Sequence, residues 1–334
     1  MEINNNLKNK ILECFPSQEG LDDLLIMSEH WDGYKRENAV RRLGVLGNPV
    51  AIPSLIVRAN DWVPQVRSAA RGSLEKLLNN ENAEAFIVSL PELYHLQNCA
   101  RDNHNELISK VINFLLKPEN NICIKLAIKN SDPYIARLAV KLCIENSLID
   151  KQELVSDSLS HSDVIVRDIA ADLLSTFTGE TLELFLQKAI NDPFMPIRRE
   201  AFQIYLRQLP EQGIDIAHNF LFDRHASIRE IAIISLLKNE IDVEEKLTKT
   251  LSSANQSALR IRCAILGLAD IGAKQLAPTI INFSRNFLPS IRKASVQALA
   301  KLLGEDAKSY LLDGLKDPSP GVAKESARCV FRPS

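Results

Sequence analysis

Long apolar runs are missing from this sequence: nothing approaches the ~18 consecutive apolar residues that a membrane-spanning helix requires. The polar, Asn-rich stretch from Met1 to Lys10 also has no hydrophobic centre of the signal-peptide kind. A cytoplasmic protein is therefore expected. Glycine is sparse, 12 residues in 334, and no Gly/Ser/Pro-rich stretch interrupts the chain. That excludes a flexible linker and a Gly-rich phosphate loop. The six cysteines (Cys14, Cys99, Cys123, Cys143, Cys263 and Cys329) are scattered without any C-x-x-C, which fits reduced, packed thiols rather than disulfides or a metal site. There is no H-E-x-x-H, no G-x-S-x-G and no pair of histidines four residues apart among His30, His95, His104, His161, His218 and His225. No catalytic residue, no metal site and no cofactor is therefore expected.

What the chain has instead is a period. An Arg, followed two or three residues later by Ala or another small apolar residue and then by Leu or Ile, recurs at Arg36, Arg67, Arg101, Arg137, Arg167, Arg198, Arg229, Arg262 and Arg292, with a tenth slot at Ala323. The spacing is about 31 residues, which is the signature of a helical solenoid. Within one period two helices are legible. In Asn191–Leu206, Asp192-Pro193 ends one helix, Pro196 suits the first turn of the next, and Ile197, Ala201, Ile204 and Tyr205 share a face. Ahead of it, Leu182–Ile190 reads as a shorter apolar helix. The small residues Ala39, Ala70, Ala139, Ala170, Ala201, Ala232, Ala264 and Ala294 are expected where neighbouring helices approach closely. The third period departs most. Pro91 falls inside its first helix and Asp102-Asn103-His104 follows Arg101, which makes it a place for the stack to bend.

Motifs such as Asp61-Trp62-Val63-Pro64-Gln65-Val66-Arg67-Ser68-Ala69-Ala70 and Pro289-Ser290-Ile291-Arg292-Lys293-Ala294 resemble HEAT-like repeats of the short kind also seen in phycobilin lyases. The resemblance spans roughly residues 19 to 331. It implies an all-α superhelix (a solenoid) of about ten helical-hairpin repeats, with residues 1–18 as an N-terminal cap and 19–331 as a single array. It also implies a ladder in which the Arg series pairs with turn carboxylates such as Asp61, Asp132, Asp163, Asp192 and Asp317. Proteins of this kind are binding scaffolds, so a protein partner is the leading expectation.

Catalytic relatives fit less well. The HEAT-like di-iron hydroxylases carry repeated His-Glu pairs, and this chain has no His-Glu dipeptide. An alkylpurine DNA glycosylase-like protein needs a basic cleft, because phosphate contacts supply most of the affinity for nucleic acid. If the second helix of each repeat lines the inner surface, the positions one and five after each Arg point inward, and mid-array they read Leu138/Leu142, Asp168/Asp172, Arg199/Gln203, Glu230/Ile234 and Cys263/Gly267. That lining has no stripe of Lys and Arg and carries more acid than base, so nucleic acid is disfavoured. Bilin chemistry rests on fold analogy alone, and a small-molecule ligand is not expected.

Two surface features remain. Residues 151–250 hold 11 Lys/Arg against 17 Asp/Glu, a balance of −6, whereas 251–334 hold 12 against 6, a balance of +6. Lys293 and Lys324 in the basic stretch are candidates for docking an acidic partner. Trp31 and Trp62, the only tryptophans, each lie five residues before the repeat Arg. Together with Asp32, Tyr34, Asp61 and Gln65 they would form an aromatic, hydrogen-bonding patch of the composition found at interface hot spots. The competing reading is that each ring plugs a gap between repeats.

Overall fold

The computed structural model describes residues 20–331; the expected capping segment and Cys14 lie outside them. Among the described residues all regular structure is helical, with no strand. The chain divides into two compact units, residues 1–185 and 186–334. The first contains α1 (Leu21–Met27), α2 (Gly33–Leu46), α3 (Ile52–Arg58), α4 (Pro64–Lys76), α5 (Ala83–Val88), α6 (Leu90–His95), α7 (Asn105–Leu115), α8 (Asn121–Ala127), α9 (Pro133–Glu145), α10 (Lys151–Ser158) and α11 (Val164–Asp172). The division falls inside α12 (Gly179–Ala189). The second unit continues with α13 (Met195–Gln208), α14 (Pro210–Phe220), α15 (Ala226–Lys238), α16 (Val243–Ser252), α17 (Ala258–Asp270), α18 (Ala277–Phe283), α19 (Pro289–Leu303), α20 (Lys308–Gly314) and α21 (Pro320–Phe331).

In the first unit these helices make five successive pairs, α1/α2 to α10/α11, with α5 and α6 together acting as the first member of the third, and in the second unit four pairs follow, α14/α15 to α20/α21. The second helix of a pair is mostly the longer. Its start is set by the turn before it: Asp32 caps α2 by accepting from the Tyr34 N–H, and Asp132 caps α9 in the same way through Tyr134. Pro64, Pro133 and Pro289 open α4, α9 and α19, where a missing N–H costs nothing.

Within each unit the second helices pack side by side, α2 on α4, α17 on α19 and α19 on α21. The small residues occupy these joints, and Ala39, Ala70, Ala139, Ala170, Ala201, Ala232, Ala264 and Ala294 are all buried. One close approach is at Gly44 of α2, where an added Cβ would lie 2.8 Å from the Ser73 Cα of α4. Around the joints, Leu43, Leu55, Leu74, Phe86, Leu90 and Leu115 fill the first unit. Phe202, Ile228, Ile265, Leu268 and Leu299 fill the second.

The third pair corrects the reading of the period. The repeat Arg is the fourth or fifth residue of the second helix, as Arg36, Arg67, Arg198 and Arg292 show; in α7 that fourth position is Ile108, and Arg101 lies in the preceding loop. Pro91 splits the first helix into α5 and α6 at Ser89, because proline has no N–H for the ladder and crowds the preceding turn. A second correction concerns the inner-surface slots: Leu142, Cys263 and Gly267 are buried in helix joints and line no open surface. In α9 and α17 the Arg is the fifth helical residue, so its +1 and +5 neighbours are turned toward the core.

Candidate functional site

Most turns between paired helices carry the same device. The sixth residue before the repeat Arg is a short acceptor whose side chain takes a hydrogen bond from the N–H two residues on: Asp61 from Val63, Asp192 from Phe194, Asp223 from His225, Asn286 from Leu288. His30 and His161 do the same through Nδ1, accepting from Asp32 and Asp163. The repeat Arg then closes the turn from below. Its Nη1 donates to the carbonyls six and five residues back, as Arg36 does to His30 and Trp31 at 2.8 and 2.9 Å, and Arg292 to Asn286 and Phe287 at 2.9 and 3.1 Å.

The remaining nitrogens of that guanidinium reach the next repeat. Arg36 makes a two-pronged pair with Asp61 at 2.9 and 2.8 Å, and Arg137 pairs with Asp163, Arg198 with Asp223, and Arg292 with Asp317 in the same way. The ladder expected from the resemblance is therefore present, with Asp223 as a rung that the sequence reading left out. It weakens where the turn changes. Arg67 meets Asp102 through a single bond at 3.2 Å. In the turn before α17 the position three residues ahead of the helix holds Asn255 in place of an Asp, and the Arg229 Nε is buried without a hydrogen-bond partner. Burial works to raise the Asp61 carboxyl, but the bonds from Arg36 and the Val63 N–H outweigh it and hold the group below the usual carboxylate range. Bonding from Arg137 drives Asp163 down to about 2.

Above this ladder the aromatic residues are open to solvent. Trp31 is 82% exposed, Tyr34 86% and Trp62 67%. Neither indole fills a gap between repeats. The Arg36 guanidinium lies 5.6 Å from the centre of the Trp62 ring. It thus holds the Trp31 carbonyl, the Asp61 carboxylate and one face of Trp62 at once, and it is itself buried. Asp32 and Gln65 border the patch, Gln65 exposed. Asp61 does not share that surface. Its side chain is 1% exposed and is divided between Arg36 and Arg58, so it braces the patch from beneath. Phe287 occupies the tryptophan slot in the second unit and is equally open. In that unit Lys324 is exposed, whereas Lys293 is drawn to Glu325 at 3.4 Å.

The sequence reading missed a cavity of about 750 Å³ beside the patch, between the end of α3 and the α6 segment that Pro91 sets apart. Trp62, Arg58, Asp61, Glu92, His95 and Arg101 line it. Arg101 donates to the Asn60 carbonyl at 3.1 Å. Burial pushes the Glu92 carboxyl up to about 7, against a bond from its own backbone and with the charge of Asp132 adding to the rise. Its Oε2 is buried and has no hydrogen-bond partner. The one sequence signal for this site was a Pro-Glu pair interrupting the apolar helix that Leu90, Leu93 and Leu96 anchor.

Residues 244–330 match the family model for HEAT repeats. Over that segment the chain is similar to HEAT repeats. Among solved structures, the karyopherin Kap121p is similar over 98% of this chain and 43% of its own, at 16% identity and a TM-score of 0.39. YibA of E. coli is similar over 99% of this chain and 98% of its own, at 13% identity and a TM-score of 0.28. An engineered protein is similar over 94% and 98%, at 14% identity and a TM-score of 0.30. The chain spans less than half the length of Kap121p. No curated protein matches it in sequence.

Proposed function

We propose that this HEAT-like protein is a non-catalytic scaffold whose first two repeats bind a protein partner through Trp31, Tyr34 and Trp62, with Asp32 and Gln65 at the rim. The observation that carries the reading is the shared support of the two rings. Large aromatic side chains left open to water are costly unless they meet something, and here one buried guanidinium fixes both turns that present them. Rigid, pre-placed aromatics gain contact area with little loss of rotamer entropy, which is how hot spots work.

The proposal keeps residues 19–331 as one repeat array capped by 1–18, supported by a period that resumes on both sides of the irregular third pair. It places the protein in a reducing, cytoplasmic setting, supported by the free thiols of Cys99, Cys123, Cys143, Cys263 and Cys329. Among the described residues no helix is long and apolar enough to cross a membrane.

The test is a pair of measurements on Trp31→Ala and Trp62→Ala, with wild type used to capture and identify the partner from the native cell. Each truncation is expected to weaken binding by about 2 kcal/mol, roughly thirtyfold, while the melting temperature barely moves. Normal affinity in both variants would refute the assignment.

A further inference from the structure

We propose that the cavity between α3 and α6 is a binding site for an organic carboxylate with an aromatic or branched apolar body, seated against Trp62 with its acid group between Arg58 and Arg101. The inference does not rest on the partner-binding role of the patch, although Trp62 serves both.

Charge decides the sign of the ligand. Three guanidiniums surround the site: Arg58 and Arg101 in its wall, and Arg36 behind the Trp62 ring. Against them stands Asp61, whose single carboxylate is already bonded by both Arg36 and Arg58. Glu92, the other acid of the wall, is pushed up to about 7 by its burial, so about half of it is uncharged at pH 7. Arg58 and Asp61 at the end of α3, and His95, Cys99 and Arg101 later in the chain, share the cavity wall with Glu92, and Asp132 at the start of α9 acts on its charge. Glu29, from the turn after α1, acts on Arg58. The wall therefore keeps an excess of positive charge. Guanidinium groups recognise carboxylates through paired, charge-assisted bonds. A volume of about 750 Å³ is within the range of small-ligand sites, and the indole supplies a flat apolar wall.

Linkage fixes the direction of the pH effect. An anion favours the protonated form of Glu92, and ionising that carboxyl adds a negative charge beside the ligand. Affinity therefore falls as pH rises through about 7. A cationic ligand would show the opposite slope.

The experiment uses the full chain carrying Trp31→Phe, in which Trp62 is the only tryptophan, and follows its fluorescence on titration with N-acetylphenylalanine, N-acetylphenylalanine amide and phenethylamine at pH 6 and pH 8.5. Saturable binding of the acid is expected, at least about tenfold tighter than the neutral amide. Arg101→Gln in that background removes most of the preference. Glu92→Gln abolishes the decline in affinity at high pH, and His95→Asn separates any share due to the neighbouring histidine. A peptide ending in Phe with a free carboxylate, compared with N-acetylphenylalanine, tells a chain terminus from a free acid: tighter binding assigns the site to chain ends, weaker binding to free acids. The proposal is overturned if phenethylamine binds better than the acid, if acid and amide bind alike, or if the acid does not saturate by about 50 mM, which lies beyond the usual range of specific ligands. Since Trp31 and the protein partner play no part in this titration, its failure leaves the proposed patch untouched.

Discussion

Arg36 holds more of this structure together than its place in the sequence suggests. Its guanidinium bonds two carbonyls in its own turn and both oxygens of Asp61, while its side chain is 3% exposed. Arg67 occupies the same helical position, but its carboxylate partner is the exposed Asp102, reached by one bond at 3.2 Å. Removing one partner of a buried pair strands a charge and costs about 3 to 5 kcal/mol, whereas an exposed pair contributes about 0 to 1 kcal/mol. Arg36→Ala should therefore destabilise the protein severely and Arg67→Ala mildly, as read from denaturant midpoints measured side by side. Equal losses would mean that burial does not set the strength of a rung. The same comparison explains what was legible at this scale. An Arg at a fixed spacing is visible in sequence, but whether its partner is buried depends on the length of the loop that delivers the partner, and the Cys99–His104 loop has no counterpart in the period.

At the scale of helices, apolar periodicity and turn chemistry were sufficient to place nearly every pair. The alanine slots were legible because a joint between helices tolerates only small side chains, and all eight are buried. The third pair was not. Arg101 imitates the repeat motif, while the true slot holds Ile108, an apolar residue that carries no ladder signal. Glu92 went unnoticed because its environment comes from three separate elements, α3, α6 and the start of α9, and no local pattern announces such a meeting. The Gly44 joint offers a prediction of its own. An alanine methyl at Gly44 would stand 2.3 Å from the Ser73 Oγ and 2.8 Å from its Cα, so backbone must move and not only a side chain. Gly44→Ala is expected to cost about 1 to 3 kcal/mol by overpacking, despite the better helix propensity of alanine. The half-buried Gly72, with nothing within 4 Å of an added Cβ, is the control: Gly72→Ala should stabilise by a few tenths to about 1 kcal/mol. Thermal melts of the two variants should move in opposite directions.

For the whole molecule, charge distribution and cavity placement lead to different experiments. The basic balance after residue 250 was read from composition, but composition does not show which lysines are already paired. Lys324 is exposed, and Lys293 is held by Glu325. If this region docks an acidic partner, Lys324→Glu should slow association and flatten its salt dependence more than Lys293→Glu does. Stopped-flow association at two ionic strengths checks the order, and an association rate indifferent to both reversals would remove this surface from consideration. The cavity beside Trp62 was not visible in composition at all, and a reading that set small ligands aside had no means of finding it. It arises where one helix pair breaks the period, so the most regular part of the pattern is the least informative about binding.

Where it forms, the Arg–Asp rung joins one turn to the next and to nothing farther away, with 25 residues between Arg36 and Asp61 and 26 between Arg137 and Asp163. Length is consequently a free variable for such a chain. A whole repeat spliced in at a turn brings its own Arg and its own Asp, and every existing rung finds a partner. A one- or two-residue insertion within α4 would instead rotate its Arg off the turn and break two neighbours at once. Genetic change is thus tolerated in units of a full repeat and resisted in units of a residue, and a protein of this design can be lengthened or shortened without being redesigned.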